Sequence, residues 1–262
     1  GGTPDIETTQ RLRRTRAQLY MTETGSDEQL VNAARAAELH IAVDLGSRET
    51  TLRAAHFATR LAPLHVLWSG QPATTGSAAY DYLVSDTTAC PPGSERYHNE
   101  YLMRLAGSFL SAGLPASETA SDAALDHPDR ASCGLPETGF VFCCFAPVGQ
   151  ISPQEFDIWM RLLATTADSC LWLLDSNDHA CSNLRRQAAR RGIDPDRLIF
   201  AAAETAAAQR ALLPLADLFL DTFTVNAGDV ARNALVAGVP VLTVPGRQLV
   251  ARTSASLLVG AG

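Results

Sequence analysis

Leu215–Gly246 reads LADLFLDTFTVNAGDVARNALVAGVPVLTVPG and holds one complete strand-loop-helix-strand pattern. An apolar β-run, Leu218–Leu220, ends at Asp221-Thr222. A loop of small residues, Asn226-Ala227-Gly228, follows, and Asp229 opens a helical stretch to Val236. Gly238-Val239-Pro240 then leads into a second apolar run, Val241–Val244. Strand, glycine loop, helix, strand is the unit that takes phosphates at a helix N-terminus, where free N–H groups and the helix dipole attract anions. An Asp at the start of such a helix is expected to cap its free N–H groups, a contribution of about 0.5–2 kcal/mol. It would then occupy the donors that a diphosphate needs.

A chain of 262 residues has room for two domains, each with its own core. A hydrophobic content of 46% with 19% charged residues describes a globular chain. No apolar run reaches the ~20 residues of a membrane span, so no membrane partner is expected. The net charge of −7 argues against a nucleic-acid partner, which calls for a basic face. All 21 basic residues are Arg, so mechanisms that need an ammonium group are excluded and any cationic phosphate binder is a guanidinium. The six Cys form no C-x-x-C pair and no zinc spacing. Cys143, Cys144 and Cys170 read as small core residues, and a reduced cytoplasmic protein follows.

Apolar runs at His40–Leu45, Leu64–Trp68 and Tyr82–Val84 read as buried parallel strands, with helices at Gln10–Tyr20 and Leu52–Thr59. Ser111–Gly139, rich in Pro, Ser, Asp and Gly, reads as a linker. A second alternation begins at Phe140–Phe145 and continues through Pro153–Ala164, Cys170–Leu174, Asn183–Arg191, Leu198–Ala201 and Ala206–Leu213. Strands alternating with helices imply parallel sheets covered on both faces. The expected architecture is therefore α/β, with two Rossmann-like domains and a cleft between them: residues 1–110, a linker over 111–139, and residues 140–262. The ends read as cut, with no closing helix after Leu257-Leu258-Val259.

Short motifs in fixed order carry a family resemblance over nearly the whole chain. They are Ala62-Pro63 through Trp68, Gly70-x-Pro72-x-Thr74-x-Gly76, Asp81-Tyr82-x-x-x-Asp86, Cys133-Gly134-Leu135-Pro136-Glu137, Trp172-Leu173-Leu174, Leu215-Ala216-Asp217 and Leu220-Asp221-Thr222. Gly238-x-Pro240-Val241-x-Thr243-x-Pro245-Gly246 and Ala251-Arg252 complete the set. The chain resembles the bacterial protein O-GlcNAc transferases and SPINDLY-like glycosyltransferases. The resemblance implies a GT-B fold, incomplete at both ends here, and transfer of a sugar, GlcNAc, from a UDP-sugar to protein Ser or Thr without a metal. Partners are then a nucleotide sugar and a protein acceptor.

The same resemblance locates the donor site and the departures within it. The family's loop reads Asn-(small)-His-Thr-Thr-x-x-Asp; here it is Asn226-Ala227-Gly228-Asp229-Val230-Ala231-Arg232-Asn233. The family's C-x-F-[NQ]-x-x-x-K loop, whose lysine binds the diphosphate, is Phe145-Ala146-Pro147-Val148-Gly149-Gln150, which puts Gln150 at the lysine position. Gln209 falls where the family has a base-stacking His, and Arg210 is the charge left beside it. Thr222 joins the donor-binding set. Arg252 reads either as a phosphate contact or as one half of an ion pair. Gly70, Pro72, Thr74 and Gly76 read as a substrate-facing loop or as a plain surface turn. His65 reads as a core histidine, and Asp175–His179 as a polar turn. Each preorganised donor at a developing charge contributes roughly 2.7–4 kcal/mol, and catalysis requires at least about 8 kcal/mol in all. Losing several of them leaves a second reading, a non-catalytic relative acting as a binding or scaffolding domain.

Overall fold

The computed structural model describes residues 27–45, 56–68, 73–110, 128–203 and 205–262. The expected helix at Gln10–Tyr20, the first part of Leu52–Thr59, and residues 111–127 lie outside these. The chain divides into two compact units, residues 1–105 and 106–262.

In the first unit, helix α1 (Asp27–Ala36) precedes strands β1 (Ile41–Asp44), β2 (Leu64–Leu67), β3 (Tyr82–Asp86) and β4 (Tyr101–Leu105). They form a parallel sheet in the order β1-β2-β3-β4. Three of these strands match the apolar runs; β4 was not anticipated. Its burial is shallow, with Tyr101 and Met103 exposed, so it lacks the continuous apolar signature of a buried parallel strand. His65 is fully buried. Its Nε2 accepts from Ala62 N–H at 3.1 Å, which leaves Nδ1 to donate to the Ala79 carbonyl at 2.8 Å. It is the satisfied core histidine expected.

The second unit holds β5 (Phe140–Cys144), α2 (Pro153–Thr165), β6 (Ser169–Leu174), α3 (Asp178–Arg190), β7 (Leu198–Ala201), α4 (Ala206–Leu212), β8 (Leu218–Leu220), α5 (Asp229–Val236), β9 (Val241–Leu242) and α6 (Thr253–Ala261). Its sheet is parallel throughout, in the order β7-β6-β5-β8-β9. Side chains alternate across a strand, and here both faces are covered. Val141, Cys143 and Phe145 enter one core with Trp172 and Phe219. Phe142, Cys144 and Ala146 enter the other with Phe156, Trp159 and Leu171. Burial pushes the Cys144 thiol up to about 12, so it is an inert core group, as its apolar setting suggested.

Three expectations need correction here. The first domain was placed to residue 110, but the division falls after Leu105, because Phe109 is buried and Ser108 Oγ lies 2.7 Å from Ser256 Oγ. The last part of the expected linker is docked on the second sheet. Arg130 binds the Leu215 and Gly139 carbonyls and pairs with Asp217 at 2.8 Å, and Leu135 is buried in the core. No helix was expected at Leu257-Leu258-Val259, yet Thr253–Ala261 is helical, with Leu257 buried and Val259 exposed. Its Ser, Thr and Gly content leaves it without a helical apolar period. Gly139 shows why the chain turns into β5 as it does. Its φ is 120°, and a Cβ there would meet the Asp168 carbonyl oxygen at 2.1 Å.

Candidate functional site

In an open α/β sheet, ligands sit outside the carboxyl ends of the strands where the strand order reverses. The second sheet reverses between β5 and β8: β5, β6 and β7 run toward one edge, β8 and β9 toward the other. The two loops leaving these strands, Phe145–Ser152 and Asp221–Gly228, therefore flank the switch point. They carry Gln150, Thr222, Asn226 and Gly228.

The loop after β5 passes Pro147, forms a short 3-10 turn over Val148–Gln150, and enters α2 through Ser152. Ser152 and Glu155 make a complete capping box with Pro153 at the helix start. Gln150 is half-buried, and its side-chain oxygen is shielded from solvent without a hydrogen-bond partner.

The loop after β8 is built on Asp221, which is 1% exposed. Asp221 Oδ1 accepts the Ala227 N–H at 2.7 Å, and Oδ2 accepts the Thr243 hydroxyl at 2.7 Å. Burial pushes its carboxyl above the ordinary range. Asn226 is turned inward as well: Nδ2 donates to the Thr222 carbonyl at 2.7 Å and Oδ1 accepts from Ser254 N–H at 3.3 Å. Thr222 is fully buried, and its hydroxyl donates to Val225 O at 2.5 Å. Thr222 and Asn226, both expected at the donor, spend their side chains on the shape of the loop.

Gly228 holds the N-cap position of α5 with φ 50° and ψ −108°, and no side chain caps the helix. That left-handed φ suits glycine, and open space surrounds the place a Cβ would take. The expected cap by Asp229 is therefore corrected. Asp229 is the first helical residue, its side chain 78% exposed, with Arg232 Nη1 3.4 Å away. An Asp here suits the dipole without blocking the helix N-terminus. Within α5, Arg232 Nε and Asn233 Oδ1 are shielded without partners.

Gln209 is not carried by either loop, whereas Arg252 lies in the segment whose Val250 carbonyl and Ser254 N–H bond Asn226. Gln209 lies on α4, which follows the edge strand β7, and donates to Ala203 O at 3.3 Å. Arg252 donates to the Gly246 carbonyl at 2.8 Å. Asp178 and His179 open α3 behind the Asn177 cap, so the polar turn is shorter than expected. Gly70 and Pro72 lie outside the described residues. Thr74 and Gly76 belong to the first unit, where Gly76 has φ 66°. There the buried Glu100 accepts the Thr74 hydroxyl at 2.7 Å, the Thr75 N–H at 2.8 Å and the Thr75 hydroxyl at 2.6 Å. Among the described residues no group of three or more His, Cys, Asp or Glu is placed to hold a metal ion. None of the described helices is long and apolar enough to cross a membrane.

Glu100 gives a prediction for the first unit. Burial alone would push its carboxyl up, but the bonds from Thr75 and Thr74 outweigh that and hold it below the ordinary range. A depressed folded value means stabilisation that is present above the ordinary value of about 4.3 and lost as pH falls through the folded value. Glu100→Gln should remove that acid-dependent loss. Denaturant unfolding of both proteins between about pH 5 and about pH 3 measures it. Parallel pH profiles would show that the Thr74–Thr75 anchorage carries no such linkage.

Two α/β units with parallel sheets, the second with its loops gathered at a switch point, have the architecture of the GT-B fold. The model of glycosyl transferase family 41 matches residues 19–113 and 115–262, and the chain belongs to that family. It is 29% identical over 225 residues to the probable UDP-N-acetylglucosamine–peptide N-acetylglucosaminyltransferase SEC of Arabidopsis thaliana, covering 86% of this chain and 23% of the relative. A probable SPINDLY enzyme of Solanum lycopersicum is 28% identical over 255 residues, covering 89% and 25%. A solved O-GlcNAc transferase of Thermobaculum terrenum, a lysine-to-methionine mutant, superposes with TM-score 0.84 at 28% identity, over 99% of this chain and 48% of that one. The chain thus spans about a quarter of the length of these curated relatives.

Proposed function

We propose that this chain carries the donor-binding part of a glycosyltransferase that moves a sugar, GlcNAc by resemblance, from a UDP-sugar to a Ser or Thr hydroxyl of a protein. The observation that carries this reading is the start of α5: Gly228, without a side-chain cap, placed at the β5/β8 switch point. Such a helix start accepts a diphosphate through main-chain N–H groups. In the transfer, the acceptor oxygen bonds to the anomeric carbon, the bond to UDP breaks, and the hydroxyl proton passes to the released UDP or to water. The leaving diphosphate carries the developing charge, which preorganised donors stabilise without a metal. Family membership and the relatives' names support this class of partner. A cytoplasmic location goes with the reduced cysteines.

A second reading, a non-catalytic binding domain, is favoured by Gln150, which cannot neutralise a leaving diphosphate as a lysine does. Nuclear magnetic resonance titration with UDP tests the first reading. Shifts at Asn226–Val230 and Gly149–Gln150 in millimolar UDP are expected. No response at about 10 mM UDP, a free energy weaker than about −3 kcal/mol, would leave only the non-catalytic reading.

A further inference from the structure

Glu155 is fully buried, so it touches no ligand, yet its two oxygens serve two different loops. Oε2 accepts the Ser152 N–H at 2.7 Å and closes the cap of α2. Oε1 accepts the N–H of Phe223, 68 positions along the chain, in the loop that ends at Gly228. Among the described residues no cation pairs with it. A buried carboxylate without a cation is costly, and a cap alone does not require one. A capping box works equally well with Gln at this position. A glutamine, however, has one oxygen and one NH2 group, so serving both loops would set a donor against a donor. The carboxylate is needed only because both N–H groups must be accepted.

We propose that Glu155 is a positioning residue that fastens the Gln150 loop to the Phe223–Gly228 loop, so that the two sides of the switch point are held as one unit. Its consequence for ligand binding rests on the donor-site reading above; the coupling itself does not. Ser152 and Glu155 stand in the spacing of a capping box, while the second bond reaches an element distant in sequence.

Amide hydrogen exchange on the full chain tests it, with UDP titration alongside. Glu155→Gln should speed exchange about tenfold or more both at Gly149–Ser152 and at Phe223–Gly228, leaving β5 and β6 unchanged. UDP affinity should fall by about fivefold or more. Ser152→Ala, which removes only the cap, should loosen the start of α2 and leave Phe223–Gly228 as it was. Glu155→Asp keeps the charge but is too short for both bonds; it should show the same two-loop pattern if the Gln variant does not fold. Unchanged exchange at Phe223–Gly228, or faster exchange spread evenly over the sheet, overturns the proposal. If the exchange pattern appears but the native chain ignores UDP, the donor reading fails and the coupling stands. If the native chain and the variant bind UDP alike, the positioning role fails and the donor reading stands.

Discussion

Asp221→Ala is expected to lower the stability of the second unit by about 2–4 kcal/mol, since hydrogen bonds to a charged group contribute roughly 1.5–3 kcal/mol and orphaned buried donors add their own cost. The substitution strips the acceptor from the Ala227 N–H and from the Thr243 hydroxyl at once. Both bonds are part-buried and Asp221 itself is 1% exposed, so water replaces the lost acceptor poorly. Part of the loss is offset, since burial already disfavours the carboxylate. Asp221→Asn is the milder change. Its oxygen can still accept from Ala227, and its NH2 can donate to the Thr243 hydroxyl, at a cost of about 1 kcal/mol. The pH dependence has a definite sign. A carboxyl whose folded value is raised binds its proton more tightly in the fold, so its contribution is greatest below the ordinary value and declines as pH rises through the raised one. The cost of Asp221→Asn should therefore shrink as pH rises from about 4 through the raised value. Denaturant unfolding of the three proteins checks both claims. A loss below about 0.5 kcal/mol for the alanine variant, the range of an ordinary surface substitution, would mean that Asp221 does not hold the loop.

Most of the second sheet was legible because its strands are buried on both faces. Phe140–Phe145 and Cys170–Leu174 are unbroken apolar runs of strand length, too short for an ordinary buried helix. β4 was not legible, since two of its five residues, Tyr101 and Met103, are exposed, none is fully buried, and Arg104 interrupts its apolar run. The donor loop was found through its order of motifs, but its chemistry was misjudged at one position. Asp at a helix start reads as a cap by propensity alone. The deciding fact is the backbone of Gly228, which takes the N-cap place and moves Asp229 one residue into the helix. Sequence reading also passed over the two carboxylates that build the site. For Glu155 the signal was present, because Ser152-Pro153-Gln154-Glu155 has capping-box spacing with Pro at the first helical position. Its bond to Phe223 depends on β5 and β8 being neighbours, which strand order in space decides.

UDP is expected to bind the native chain with a dissociation constant of about 1 mM or weaker, equivalent to roughly −4 kcal/mol. The N-terminus of α5 is available, but its surroundings are poor in donors. Gln150 carries no charge, Pro147 has no N–H, and Val230 offers no hydroxyl. Asp229 sets a carboxylate in the first turn, 3.4 Å from Arg232, which partly balances it. The triple variant Gln150→Lys, Asp229→Thr, Val230→Thr supplies a cation and two hydroxyls and removes one like charge. Charge-assisted bonds contribute roughly 1.5–3 kcal/mol each before solvent exposure reduces them. A tightening of about 30- to 100-fold, or roughly 2–2.7 kcal/mol, is therefore expected. Because Asp229 makes no capping bond, its loss should cost the helix its dipole interaction, about 0.3–1 kcal/mol, and its exposed pair with Arg232, about 0.2–0.5 kcal/mol. Calorimetric titration and thermal unfolding of both proteins measure the two effects. Unchanged UDP affinity in the folded triple variant would show that the Gly228 loop is not where the diphosphate goes. Micromolar binding by the native chain would show instead that a guanidinium already serves the phosphate. Arg232 is then the first to replace, since its Nε is shielded without a partner on the helix that starts at that loop. Arg247 and Arg252 come next.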